Sequence, residues 1–151
     1  YGLWRFDHGE SQPWSQLNTV SPELMTAVDI DNDGQDELVL SFMGYGLYTH
    51  KPEGGVWSQI TAVLPEAMIR HGNGVACDFG RSYGLWLWDQ TGLWQRINSI
   101  DPEKMLSADV DGDGEDELIV SFVGYGLYIY DKKSGWTRIT NVIPEAMLAI
   151  N

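Results

Sequence analysis

Apolar and polar residues alternate over short stretches of this chain, as expected for half-buried β-strands. Residues 93–98 (Leu-Trp-Gln-Arg-Ile-Asn) show this alternation, and the aromatic segment 83–89 is bounded by turn residues. Residues 117–122 form an apolar run with branched side chains at its centre, which is typical of a buried strand. With the short segment 105–109, these patterns predict four strands within about 40 residues and no long helix.

The same pattern recurs four times along the 151 residues. Each copy opens with Tyr-Gly-Leu, and the openings are 44, 38 and 42 residues apart. A tryptophan follows in every copy, and eight residues after it comes Pro-Glu-x-Met. The four tryptophans are Trp14, Trp57, Trp94 and Trp136. Four-stranded units at this period predict an all-β fold, a β-propeller of antiparallel blades, with repeats at approximately 1–44, 45–82, 83–124 and 125–151.

The ends of the chain fall inside repeats, and the last repeat is incomplete. If the strand after Pro-Glu-x-Met is the first of a blade, the chain starts with strands three and four of one blade. It then has three fuller blades and ends with a lone first strand at 147–150, about three and a half blades in total. We therefore expect part of a larger ring, either a fragment of a longer chain or a homo-oligomer whose blades are completed by another chain. Pro-Glu-x-Met itself is expected to form a loop with one helical turn, capped by Ser21 or Asp101.

The first and third copies contain a loop of alternating carboxylates, Asp-x-Asp-x-Asp-Gly, at 29–37 and 109–117. Carboxylates at alternate positions of a tight loop can converge on one cation, and the glycine permits the sharp turn. An all-oxygen donor set favours calcium, so two Ca²⁺ sites are predicted. The predicted ligands are Asp29, Asp31, Asp33, Gln35 (backbone oxygen) and Glu37, and Asp109, Asp111, Asp113, Glu115 (backbone oxygen) and Glu117. Asp36 and Asp116 are alternatives to Glu37 and Glu117. The second copy has a predicted tight turn at 71–74 instead.

These loops resemble the calcium-binding loops of FG-GAP (integrin-like) repeats, which occur in integrin α-chain propellers and many bacterial surface proteins. The pattern Asp-x-Asp-x-Asp-Gly-x-x-acid followed directly by an apolar strand carries the resemblance. Copies two and four match only through their strand pattern. One departure is glutamate in place of the more usual aspartate at position nine. The resemblance implies a propeller in which calcium fixes the turn between two strands of a blade.

The formal net charge of −13 comes mostly from these two loops, which hold five and six of the 22 acidic residues. The other acidic residues nearly balance the nine basic ones, so the chain lacks the basic surface that nucleic-acid binding needs. No apolar stretch approaches the roughly 20 residues of a membrane helix, so membrane insertion is not expected. Weak calcium loops are saturated where calcium is millimolar, which favours an extracellular, cell-surface or periplasmic location.

The sequence therefore predicts a calcium-stabilised binding or adhesion module with a protein or glycan ligand. One alternative is a carbohydrate-binding lectin propeller, in which Trp4, Trp86 and Trp88 would stack on sugar rings. A further alternative is the propeller portion of a polysaccharide-degrading enzyme. No catalytic residues are predicted, because the paired carboxylates are explained by calcium and no nucleophile elbow, phosphate loop or dinucleotide fingerprint is present.

Overall fold

A computed structural model describes residues 1–149 and confirms the all-β class. Every pairing between strands is antiparallel. Sheet I consists of β1 (Leu3–Phe6) and β2 (Trp14–Asn18). Sheet II consists of β3 (Leu24–Val28), β4 (Glu37–Phe42), β5 (Gly46–Lys51) and β6 (Val56–Thr61). Sheet III consists of β7 (Ala67–His71), β8 (Gly74–Asp78), β9 (Leu85–Asp89) and β10 (Trp94–Asn98). Sheet IV consists of β11 (Lys104–Ala108), β12 (Glu117–Phe122), β13 (Gly126–Asp131) and β14 (Gly135–Thr140).

One short helix, α1 (Gly80–Tyr83), connects β8 to β9. Within residues 1–149, no helix has the length and apolar character needed to cross a bilayer. Strand order in each four-stranded sheet follows the sequence, so each sheet is a simple meander. The predicted four-strand pattern is therefore present in sheets II, III and IV.

Successive sheets pack face to face in chain order, and the second strand of a sheet is buried on both faces. On β4, Leu40 and Phe42 cluster with Leu3 of sheet I. Val39, which points to the opposite face, clusters with Val75 of sheet III. Because side chains alternate across a strand, this two-sided burial explains why the second strands are continuous apolar runs.

The glycine of Tyr-Gly-Leu lies where the third strand approaches the end of the fourth. A Cβ atom at Gly46 would lie 2.3 Å from the carbonyl oxygen of Thr61, and one at Gly126 would lie 2.2 Å from that of Thr140. Their φ angles, +107° and +105°, are ones that residues with a side chain rarely adopt. The repeated glycine is therefore required, because the end of the fourth strand lies too close for a side chain and the backbone conformation disfavours one.

Pro-Glu-x-Met opens the first strand of each four-stranded sheet. The backbone N–H of Glu23 donates to the carbonyl oxygen of Ser41 (2.9 Å), and the same bond recurs in sheets III and IV at 2.7 and 2.8 Å. Proline has no N–H, so the ladder can begin only at the glutamate. The predicted helical turn is wrong, since Pro22 and Glu23 lie outside regular structure and Met25 lies within β3. The Ser21 hydroxyl accepts a backbone N–H near the start of the chain (3.0 Å) instead of capping a turn.

The predicted strand 83–89 begins two residues later than expected, because α1 precedes it. The interval from Phe79 to Tyr83 is one residue longer than the corresponding interval in sheets II and IV. The extra residue closes a helical turn in which the N–H of Gly84 donates to the carbonyl oxygen of Gly80 (2.7 Å). An insertion of one residue thus converts the tight turn of sheets II and IV, in which the N–H of Tyr45 or Tyr125 donates to Phe42 or Phe122, into a turn of helix.

The predicted segment 117–122 matches β12, and the predicted segments 93–98 and 105–109 differ from β10 and β11 by one residue at their ends. The predicted last strand, 147–150, is not present as far as the structure describes it. Residues 147–149 have no regular secondary structure, and Ile150 lies outside the described residues.

An aromatic pair joins the last two strands of every sheet. The ring centroids are 4.9 Å apart in Phe6–Trp14, 4.1 Å in His50–Trp57, 6.3 Å in Trp88–Trp94 and 5.0 Å in Tyr130–Trp136. Each pair includes the tryptophan that recurs in the repeats. Each of these tryptophans therefore packs on an aromatic ring of its own sheet, and such pairs add to the stability gained from buried area.

Candidate metal centre

The two acidic loops connect the first strand to the second in sheets II and IV. Neither loop is helical. In sheet III the same connection is the two-residue turn Gly72–Asn73, as predicted for residues 71–74. This turn contacts both loops: the Asn73 amide bonds the side chain of Asn32, and the N–H of Gly72 donates to Asp116 Oδ2 (3.3 Å). The three connections therefore lie side by side at one end of their sheets.

In loop 29–37 the carboxylates turn inward. Oxygens of Asp29, Asp31 and Asp33 lie within 4.8 Å of one another. Asp29 also organises the backbone, because Oδ1 accepts the N–H of Asp33 (3.0 Å) and Oδ2 accepts the N–H of Gly34 (2.9 Å). The loop thus brings three of its predicted ligands to a common centre.

A fourth carboxylate, that of Glu37 at the start of β4, also contacts the loop. Glu37 is only 6% exposed, and Oε2 accepts the backbone N–H of Ile30 (3.0 Å). The other oxygen, Oε1, is buried without a hydrogen-bond partner within the described residues. An unpaired buried carboxylate oxygen carries a desolvation cost, which a cation in contact with it would offset.

Loop 109–117 has a closely similar backbone. Asp109 accepts the N–H groups of Gly112 (2.7 Å) and Gly114 (3.0 Å), and Glu117 Oε2 accepts that of Val110 (2.8 Å). Here oxygens of Asp109, Asp111 and Glu117 lie within 4.8 Å of one another. Glu117 is 3% exposed, so it occupies the same buried position as Glu37.

One lysine contacts each loop, and the two lysines come from different places. Lys51, on β5, places Nζ 2.7 Å from Asp31 Oδ2 and 2.7 Å from Asp33 Oδ2. Lys133, on the β13–β14 turn, places Nζ 2.7 Å from Asp113 Oδ2 and 3.3 Å from Glu115 Oε2. Each lysine holds the pKa of its partner, Asp33 or Asp113, below the ordinary value. The carboxylates in turn raise the pKa of each lysine.

The alternative ligands Asp36 and Asp116 point toward sheet III. Asp36 lies 3.9 Å from Arg70, and Asp116 accepts hydrogen bonds from Gly72 and from Ser107 Oγ (3.2 Å). These two aspartates therefore connect the loops to the neighbouring sheet, whereas the glutamates that follow them point into the loops. Gln35 and Glu115 each donate a backbone N–H to the preceding aspartate of the loop, both at 2.9 Å.

The predicted stacking tryptophans are not brought together. Trp4 and Trp86 occupy equivalent positions in sheets I and III, and each donates its indole N–H to the backbone of its own Tyr-Gly-Leu motif (3.3 and 2.9 Å). Trp4 is 49% exposed. Trp88 packs against Trp94 and the core between sheets II and III.

A different set of aromatic residues lines a cleft of about 290 Å³ between sheets I and II. Its lining residues are Asn18, Val20, Phe42, Tyr45, Tyr48 and Trp57. Trp136, the counterpart of Trp57 in sheet IV, instead donates its indole N–H to the Ile97 carbonyl oxygen of sheet III (2.9 Å). Comparison of the repeats does not reveal this cleft, because equivalent residues such as Trp57 and Trp136 have different contacts.

A third group of carboxylates lies outside the loops, where sequence reasoning did not place one. Oxygens of Glu66, Asp78 and Asp101 lie within 4.8 Å of one another. Asp78 is 4% exposed and accepts the N–H of Gly80 (2.8 Å). Burial raises the pKa of Asp78 to about 6, and the nearby Asp101 and Glu66 carboxylates add to this effect. The sequence does contain a signal for this group, because the positions equivalent to Asp78 in sheets II and IV are serines.

This third group is not arranged as a catalytic pair. A cleft adjoins it, lined by Arg81, Asp101, Glu103 and their neighbours, but neither Asp78 nor Glu66 lines that cleft. General acid and base groups must both reach the bond that they cleave. Of the three carboxylates in this group, only Asp101 lines the cleft.

No family model matches the chain, and no curated protein or solved structure matches it either.

Proposed function

We propose that this protein is a calcium-stabilised binding module built of β-propeller blades of the FG-GAP (integrin-like) type. Sheets II, III and IV would be complete blades, and sheet I would be the outer half of another. The ring would be closed by further sheets from the same longer chain or from a second copy. Calcium binding at both loops would favour an extracellular, cell-surface or periplasmic location. The ligand there would be a protein or a glycan.

The buried Oε1 of Glu37, which has no hydrogen-bond partner within the described residues, is the observation that carries the calcium proposal. It faces a loop whose three aspartates already converge, so the donor set is all oxygen and strongly anionic. The residues that would hold the ion are Asp29, Asp31, Asp33 and Glu37, with Asp109, Asp111, Asp113 and Glu117 in the second loop. Bound calcium would supply positive charge that neutralises the carboxylates and fixes the turn between two strands.

The test is thermal unfolding in calcium and in chelator. Ligand that binds only the folded state stabilises it by about 2.7 kcal/mol at one hundred times Kd, so calcium should raise the melting temperature by several degrees. Asp111→Ala with Asp113→Ala should remove about half of that response, and adding Asp31→Ala with Asp33→Ala should remove the rest. A wild-type melting curve unchanged by chelator would refute the proposal.

A matched control is Asp7→Ala with Asp89→Ala, which removes two acidic residues outside the loops. This variant should keep the full calcium response. If it lost as much response as a loop variant, the calcium effect would reflect general charge screening and not two built sites.

The aromatic cleft between sheets I and II favours a glycan as the ligand. Tyr45 is 60% exposed at its rim, Tyr48 and Trp57 line it, and Asn18 supplies an amide. Sugar rings combine an apolar face with polar edges, which suits such a lining. On a glycan array, Tyr45→Ala should lose binding that Tyr125→Ala retains, because Tyr125 holds the equivalent position away from the cleft. If wild type binds no glycan on the array, the proposed ligand becomes a protein.

A further inference from the structure

The two acidic loops differ in how deeply a lysine enters them. Lys51 is the last residue of β5, and its Nζ lies 2.7 Å from Asp31 Oδ2, 2.7 Å from Asp33 Oδ2 and 3.9 Å from the buried Glu37 Oε1. One ammonium group therefore contacts three of the four carboxylates that the proposed ion would need. The Lys51 side chain is 35% exposed, which is low for a lysine.

Loop 109–117 lacks this arrangement for a reason that lies in the sequence. Asp131 occupies the position of Lys51, and its carboxylate accepts the backbone N–H groups of Lys133 (2.6 Å) and Ser134 (2.5 Å). Lys133 therefore reaches the loop from a turn, with a side chain that is 60% exposed. Its ion pairs are with the outer residues Asp113 and Glu115.

The inner carboxylates of the second loop are consequently free of lysine. Asp109, Asp111 and Glu117, whose oxygens lie within 4.8 Å of one another, form no ion pair within the part of the chain that the structure describes. A cation approaching this loop would not have to displace an ammonium group from them. In loop 29–37 it would have to displace Lys51 from both Asp31 and Asp33.

We propose that Lys51 acts as an internal counter-ion that competes with calcium for Asp31 and Asp33, so that loop 29–37 binds calcium more weakly than loop 109–117. This inference rests on the proposed calcium function. The competition is incomplete, because the 3.9 Å separation leaves Glu37 Oε1 without a hydrogen bond. Lys51 therefore lowers the affinity of the loop without closing it. The two loops fill in sequence as calcium rises, loop 109–117 first.

The test is calorimetric titration of calcium into the folded chain, with one loop silenced at a time. Asp111→Asn with Asp113→Asn leaves only loop 29–37, and Asp31→Asn with Asp33→Asn leaves only loop 109–117. The first protein should bind calcium more weakly than the second. Adding Lys51→Gln to the first should tighten its Kd by about fivefold, the expected value for two partly exposed ion pairs lost as competitors.

Two matched variants separate competition from net charge. Lys133→Gln, in the protein that keeps loop 109–117, also removes one positive charge and should tighten its Kd less than twofold. Lys51→Arg keeps the competing charge and should leave the Kd of loop 29–37 near that of its parent. The Lys51→Arg variant also provides a substitution at this position if Lys51→Gln fails to fold.

Each result decides between distinct conclusions. Equal affinity of the two loops, or the same gain from Lys51→Gln as from Lys133→Gln, would overturn the role of Lys51 and leave the calcium function intact. Absence of calcium binding in every protein, including wild type, would overturn the calcium function and this inference together.

Discussion

Sheets II, III and IV share the same four-stranded meander, called the frame below, but they differ in the connection between their first two strands. The last residue pair before the connection is Val28–Glu37 in sheet II, Ala108–Glu117 in sheet IV and His71–Gly74 in sheet III. Eight residues join the strands in the first two cases and two residues in the third. Since a two-residue turn suffices for the same four-stranded meander, the long acidic connections are not required to form a sheet. The free energy of unfolding without calcium should therefore depend on the frame. The additional stability gained from calcium should depend on the acidic connections.

Substituting a residue of the frame should have the largest effect on the free energy of unfolding. Gly46→Ala would place a Cβ atom 2.3 Å from a backbone oxygen at a φ of +107°, so we expect the free energy of unfolding to fall by about 3 kcal/mol. The loss, measured by chemical denaturation, should be the same in calcium and in chelator. Gly44→Ala is the control: its φ is also positive (+79°), but no atom lies within 4 Å, and about 1 kcal/mol is expected. Equal losses for both variants would show that the close approach is unimportant.

Exchanging a connection should give the next largest effect. Residues 109–117 are replaced by Gly-Asn-Gly, the equivalent segment of sheet III, which is its two-residue turn and the first residue of β8. In chelator the unfolding free energy should stay close to that of wild type, because the strands keep their pairing. At calcium one hundred times above Kd the variant should lack about 2.7 kcal/mol and bind one calcium ion fewer. An unfolded variant in chelator would show that the acidic loop has a structural role of its own.

The frame could be predicted from the sequence because its causes are local and repeated. The apolar run of β12 and the turn at 71–74 each follow from neighbouring residues, and both were predicted within one residue. The turn of helix at 80–83 was missed because a single inserted residue produces it. The arrangement of charges was hardest to predict, since the contacts of Lys51 and the burial of Asp78 depend on residues about 20 positions away.

Sheet III differs from its neighbours in a second way, which pH should reveal. Asp78 stands where sheets II and IV have a buried serine, and it faces Glu66 and Asp101, with Arg81 3.4 Å from Asp101. Burial raises its pKa to about 6, above the ordinary 3.8, so ionisation costs stability. This contribution is fully present below pH 3.8 and is lost as pH rises through 6. Asp78→Asn should therefore gain about 2 kcal/mol over wild type at pH 7.5 and almost nothing at pH 4.

The measurement for Asp78 is the difference in unfolding free energy between variant and wild type across that pH range. Using the difference cancels the other carboxylates, several of which have lowered pKa values and lose stability in acid. Asp101→Asn is the control, since it removes a neighbouring charge but leaves the buried carboxylate in place. It should show a smaller pH-dependent gain. A constant difference for Asp78→Asn would mean that Asp78 is not desolvated in solution.

The smallest effect concerns the two acidic loops themselves. Asn32 has a φ of +59°, and its counterpart Gly112 has a φ of +79°. Asn32→Gly would lose the side-chain bond to Asn73 but would relieve the left-handed conformation, which asparagine tolerates better than most residues. The two changes oppose each other, so the unfolding free energy should change by less than about 0.5 kcal/mol. Gly112→Asn should be equally mild, whereas Gly112→Val should cost more than either because a β-branched residue is strained at positive φ. A large loss for Asn32→Gly alone would show that the contact with sheet III, and not the backbone of the loop, holds loop 29–37 in place.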